Sequence, residues 1–103
     1  EVSNSQIKIH DLVLDPARQH LSRSGQVIEL PPIQFKLLKL LMRNSPKVMT
    51  KQEIMMELWG DEEPESDALR SHIYNLRKTV DKPFEQKLIH TVSGVGLKVS
   101  LEP

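Results

Sequence analysis

The chain has 103 residues, no cysteine, 38% hydrophobic residues, and 14 Lys+Arg balanced by 14 Asp+Glu. A chain of this length supports one core and no second one, and roughly two-thirds of its unfolded surface can be buried without metal or disulfide staples. The lack of cysteine excludes a disulfide framework, a thiolate zinc site and a cysteine nucleophile and suits the reducing cytoplasm, while no apolar run approaches the ~20 residues of a membrane span and no signal-peptide order opens the chain.

Residues 1–6 are polar and patternless and read as a disordered or linker-like lead into one domain over 7–101. Glu1 is not an initiator methionine, so the chain reads as a piece of a longer protein. Between residues 7 and 30 the apolar side chains come in short groups: Ile7 and Ile9, then Leu12, Val13 and Leu14, then Leu21, then Val27, Ile28 and Leu30. Asp15-Pro16 and Ser24-Gly25 separate them, and Ser-Gly is a hairpin signal. A small antiparallel sheet of three or four short strands is expected.

The pattern changes at Pro31-Pro32, a pair that can open a helix because the first turn needs no amide donors. Ile33, Leu37, Leu38, Leu40 and Leu41 follow at helical spacing as far as Asn44-Ser45-Pro46, which ends the helix. Thr50 with Glu53 three residues on has capping-box spacing and starts a second helix. Ile54, Leu58 and Met55 form its buried stripe, and Trp59-Gly60 closes it. A third helix over 66–80, capped by Ser66 or Asp67, places Leu69, Ile73, Leu76 and Val80 on a narrow apolar stripe. At 100° per residue the opposite face carries Ser71, Tyr74, Asn75 and Lys78, flanked by Arg70 and Arg77. Lys82-Pro83 ends it. Two β-like halves then surround Ser93-Gly94-Val95-Gly96, a hairpin over 88–99 with a glycine-dependent tip.

The fold class expected is α+β: an N-terminal sheet, three helices, and a helix-turn-helix followed by a hairpin wing. On the third helix, Arg70 and Arg77 can bond bidentately to guanine and Asn75 to adenine in a major groove. Lys78, His72 and Tyr74 are candidates for phosphate oxygens, which set register without reading sequence. Thr91, Ser93 and Gly94 are candidates to touch an adjacent groove or backbone. Trp59 is core by default, with an indole N–H able to reach a phosphate. His10, His20, His72 and His90 have no paired ligand spacing and are expected at the surface; no metal or cofactor site is expected, and no phosphate loop or nucleophile elbow supports an enzyme. Met42, Met49, Met55 and Met56 are expected in the core.

The zero balance hides a polarity. Up to Leu69 there are 8 basic and 11 acidic side chains, whereas residues 70–99 hold 6 basic and 2 acidic. Asp61, Glu62, Glu63, Glu65 and Asp67 are clustered just before the basic segment. Screening over ~8 Å limits the influence of distant acids, so a positive face can still attract a polyanion.

At residues 35–41, 50–60, 69–78 and 88–96 the chain resembles the OmpR/PhoB-type winged-helix effector domain of two-component response regulators. Phe35-Lys36-Leu37-Leu38-Lys39-Leu40-Leu41 and Leu58-Trp59-Gly60 carry the first part. Ser71-His72-Ile73-Tyr74-Asn75-Leu76-Arg77-Lys78 carries the recognition helix, and Leu88-Ile89-His90-Thr91-Val92-Ser93-Gly94-Val95-Gly96 the wing. The resemblance implies a four-stranded N-terminal sheet, the third helix in the major groove of double-stranded DNA, the wing in a minor groove, and homodimers on direct repeats. It also implies an N-terminal receiver domain fed by a sensor kinase, and a contact with RNA polymerase through the loop holding Asp61, Glu62, Glu63 and Glu65. By position His72 becomes a backbone contact, Asn75 and Arg77 base or near-base contacts, and Thr91 a wing contact.

The chain departs from that pattern in several places. Ser93 stands where the wing arginine is usual, Leu97 where tyrosine is usual, and Tyr74 and Asn75 where arginines are common. Pro31 and Gln34 replace the usual Thr and Glu that cap the first helix, a change expected to alter the helix start and not the DNA contacts. Two other readings remain beside sequence-specific DNA binding: a winged-helix protein-interaction module, and the DNA-binding domain of a membrane-anchored ToxR-like regulator.

Overall fold

A computed structural model describes residues 6–62, 64 and 67–103. Four strands, β1 (Ile7–Ile9), β2 (Leu12–Asp15), β3 (His20–Arg23) and β4 (Gln26–Val27), form an antiparallel sheet in the order β1-β2-β3-β4. A single 3-10 turn, Pro16–Arg18, links β2 to β3. The β3–β4 loop is Ser24-Gly25, with φ of 52° and 81° between the paired Arg23 and Gln26. Two positive φ values in a two-residue loop are the backbone signs of a type I′ turn, whose twist matches that of the strands.

Helix α1 (Pro32–Arg43) starts at the proline pair and has Pro31 at its N-cap with no side-chain cap. It buries Phe35, Leu37, Leu38, Leu41 and Met42, and lies against α2 (Lys51–Trp59), α3 (Ala68–Val80), β1 and the wing strand β7 (Gly96–Val99). The capping box at the start of α2 is complete: the Glu53 amide donates to Thr50 Oγ1 at 3.1 Å and the Thr50 amide donates to Glu53 Oε1 at 2.9 Å. That backbone hydrogen bond from Thr50 holds the Glu53 carboxyl below its ordinary value. Gly60 closes α2 at φ 62°. Helix α3 begins at Ala68, two residues later than the expected start. Asp67 occupies the N-cap but makes no side-chain cap bond, and Ser66 lies outside the described residues.

A short strand that the sequence pattern did not foreshadow, β5 (Met49–Thr50), pairs with β7, which pairs in turn with β6 (Ile89–Val92), giving the order β5-β7-β6. Thr50 lies opposite Gly96, and a Cβ on Gly96 would come within 1.9 Å of the Met49 carbonyl oxygen. Glycine is required there by the closeness of two backbones. Leu12, Leu14 and Leu21 from the first sheet, the buried faces of the three helices, and Leu88, Ile89, Leu97 and Val99 from the hairpin make one core.

That core also contains a charge. Arg23 on β3 is fully buried. Its Nε donates to Asp11 Oδ1 at 2.9 Å, its Nη1 donates to the Val80 carbonyl at 2.7 Å and to Asp81 Oδ1 at 2.9 Å, and its Nη2 donates to the Gln86 carbonyl. The guanidinium lies over the Phe84 ring at 4.7 Å. Asp81 in turn accepts from the Leu88 and Ile89 amides. This arrangement satisfies a buried arginine, which would otherwise be costly, and joins the first sheet to the end of α3 and the root of the wing.

Candidate nucleic-acid interface

The stripe of α3 faces inward as its spacing requires: Leu69, Leu76 and Val80 are buried and Ile73 is half-buried against the core. Arg70, Ser71, Tyr74, Asn75 and Lys78 are left exposed, Tyr74 at 65%. These are long or polar side chains on the convex side of one helix, the shape a major groove admits.

The two residues at the margins of that face are half-buried, and each is held by another element. Arg77, in the last turn of α3, donates from Nη2 to the Thr91 hydroxyl on β6, so α3 and the wing are tied together. On the other margin the His72 ring lies 6.3 Å from the half-buried Trp59 ring at the end of α2, and Gln34 Nε2 on α1 lies 3.4 Å from His72 Nδ1. The consequence of Gln34 is not confined to the start of α1. Gln34 is a buried side chain that reaches the recognition helix.

The wing is the β6–β7 hairpin, with Thr91, Ser93, Gly94 and Val95 exposed and Gly94 at φ 77°. Between the start of α3 and the wing lies an apolar hollow of about 430 Å³ bordered by Leu69, Ile73, Val92 and Leu97. At the far end of α3, Arg77, Lys78, Lys82 and Lys87 border an open cleft of about 340 Å³, and Lys87 Nζ is held by the Asp81 and Phe84 carbonyls. Asp61 and Glu62 are exposed just after α2; Glu63 and Glu65 lie outside the described residues.

Two groups of expectations need correction. His10 and His20 are exposed, but His72 and His90 are half-buried and hydrogen-bonded, His90 Nε2 lying 3.0 Å from the Ser100 carbonyl. Met42 and Met49 are in the core and Met55 packs against it, whereas Met56 is 59% exposed because its position on α2 faces away from Ile54 and Leu58.

A three-helix unit with a hairpin wing tied to its third helix, and Arg, Asn and Lys turned out from that helix, is a winged helix-turn-helix of the DNA-binding type. Residues 25–99 match the family described as "Transcriptional regulatory protein, C terminal", and the chain belongs to it, in the OmpR/PhoB type. It is 40% identical over 87 residues to the response regulator MprA of Mycobacterium sp. (strain KMS), an alignment covering 84% of this chain and 38% of that protein. Thus the chain spans well under half the length of this relative. Among solved structures it is similar to the DNA-binding domain of CpxR from E. coli, with TM-score 0.76, 29% identity, and coverage of 93% of this chain and 97% of that one. It is also similar to the response regulator DrrB, a Thermotoga maritima OmpR/PhoB homologue, with TM-score 0.81, 26% identity, and coverage of 93% and 44%.

Proposed function

We propose that this domain reads double-stranded DNA with the exposed face of α3 in the major groove and the β6–β7 wing at the adjacent minor groove, as part of a longer transcriptional regulator. The observation that carries the assignment of residues is the Arg77–Thr91 hydrogen bond. A sugar-phosphate strand separates a major groove from its neighbouring minor groove, so it must cross the saddle between helix and wing. Arg77 uses one of its five N–H donors on Thr91, and the Thr91 hydroxyl, accepting from Arg77, keeps its own proton for an outside acceptor. The pair is set to hold that strand, while Arg70 and Asn75 are exposed toward base edges and Ser71, Tyr74 and Lys78 toward the groove wall. Ser93 and Gly94 at the tip offer a hydroxyl and backbone amides in place of a minor-groove arginine, which weakens reading of groove width there.

The response-regulator relative extends well beyond the length of this chain, which supports a receiver domain N-terminal to this one with a sensor kinase acting on it; homodimers on direct repeats and action in the cytoplasm complete the proposal. None of the helices among the described residues is long and apolar enough to cross a membrane. Exposed Met56 with Met55, Trp59, Glu62 and Pro64 borders a shallow cavity of about 230 Å³ beside the acidic loop. This apolar patch next to Asp61 and Glu62 favours a protein partner on that side, for which RNA polymerase is the proposed occupant.

Selection of bound sites from a randomised duplex pool tests the reading. Recovery of a repeated half-site, with log K falling against log salt at a slope of about −4 to −5 for roughly five neutralised phosphates, supports it. Absence of any retention at low salt overturns it in favour of a protein-interaction module.

A further inference from the structure

His72 is the point at which all three helices meet. Its own helix supplies it, Trp59 of α2 lies across from its ring, and the buried Gln34 of α1 faces its Nδ1. The nitrogen of an amide carries only donors, so Nδ1 must accept, and a neutral imidazole that accepts at Nδ1 carries its proton on Nε2. The half-buried ring therefore has one edge occupied inside the protein and one N–H on its other nitrogen.

We infer that Gln34 is a positioning residue for DNA binding: by donating to His72 Nδ1 it fixes the ring and keeps Nε2–H as a donor for a backbone phosphate oxygen, without requiring a charged imidazolium. This inference rests on the DNA-binding reading and deepens it. Position 34 lies on α1, outside the helix proposed to enter the groove, yet its amide decides whether His72 offers a donor or an acceptor there. A carboxylate of the same length would reverse the pairing. It can only accept, so it places a proton on Nδ1, and a neutral ring then turns a lone pair on Nε2 toward the phosphate.

The test uses this chain, the duplex recovered by site selection, and the variants Gln34→Glu, Gln34→Met and His72→Ala, with unfolding curves to establish that each is folded. Ring ¹⁵N shifts of wild-type His72 at pH 8 should show Nε2 protonated and Nδ1 bare. At the same pH Gln34→Glu should bind the duplex roughly ten-fold more weakly, the size expected for one hydrogen bond to a charged acceptor. In a His72→Ala background Gln34→Glu should have no further effect. Gln34→Met keeps the packing volume and should also lose affinity, because the ring is then left without its donor. A wild-type ring protonated on Nδ1, an unchanged affinity for Gln34→Glu, or the same loss for Gln34→Glu with and without His72 would each overturn the inference while leaving DNA binding in place. If the wild-type chain retains no duplex, the functional reading fails and this role for Gln34 fails with it.

Discussion

Arg23 Nη1 lies 2.9 Å from Asp81 Oδ1, 58 residues further along the chain, with both side chains out of solvent. One member belongs to the first sheet and the other to the residue that ends the recognition helix. The pair makes the N-terminal sheet a support for the orientation of α3.

Removal of one partner from such a pair leaves a buried charge uncompensated. Arg23→Ala should cost about 3–5 kcal/mol, read as a lower urea midpoint with an unchanged slope. Arg23→Met combined with Asp81→Asn should recover part of that loss, because the orphaned charge is gone. A cost below about 1 kcal/mol for Arg23→Ala would mean that water replaces the guanidinium.

Arg77 and Thr91 should act as a unit. Arg77→Ala should weaken binding to the selected duplex by about 1–3 kcal/mol, and Thr91→Val should add much less in the Arg77→Ala background than alone, since contacting residues are non-additive. Lys78→Ala should weaken all duplexes alike and reduce the salt slope by about one. Fluorescence anisotropy across a salt series separates these outcomes, and additive losses for Arg77 and Thr91 would show that they act independently.

The two wing glycines should respond differently. A Cβ at Gly94 meets nothing within 4 Å, so Gly94→Ala suffers only from its φ of 77°, about 1–2 kcal/mol. A Cβ at Gly96 collides with the Met49 carbonyl, so Gly96→Ala should cost about 3 kcal/mol or more. Thermal unfolding of the two variants side by side checks the order, and equal losses would contradict the close approach of β5.

Acid should destabilise the domain partly through Asp11. Burial by itself raises its carboxyl, but hydrogen bonds from Ser24 and Arg23 and the Arg23 charge together outweigh this and hold it below the ordinary carboxylate value. With the folded value depressed, the unfolded state binds more protons, so this contribution is present above the ordinary value and is lost as pH falls through the folded one. Glu53, also depressed, acts with the same sign. Asp11→Asn should flatten the acid limb of a stability-against-pH curve, and an unchanged limb would remove Asp11 from the account.

The elements that could be read from the chain were those whose cause is local. The α3 stripe, the Thr50–Glu53 box and the Ser24-Gly25 turn depend on residues within a few positions of one another. Arg23 was hidden because its partners Val80, Asp81 and Gln86 are far along the chain, although the strand period does place it on the same face as buried Leu21. The two-residue β5 has no periodicity to detect, since it exists only because β7 comes to meet it. Gln34 and His72 were each visible in the sequence, one as a weak helix start and one as a backbone contact, but their meeting depends on how α1 crosses α3.

Thr50 both pairs with Gly96, next to the tip of the wing, and caps the first turn of α2. Rotation of the wing would therefore have to unwind the helix-turn-helix at its start, which makes the hairpin a stiff fin with little freedom to follow its target. Accommodation falls to the duplex. A site whose groove spacing does not suit the fixed gap between α3 and the wing must bend or twist to fit, and the energy of that deformation becomes part of the selectivity without any base being touched.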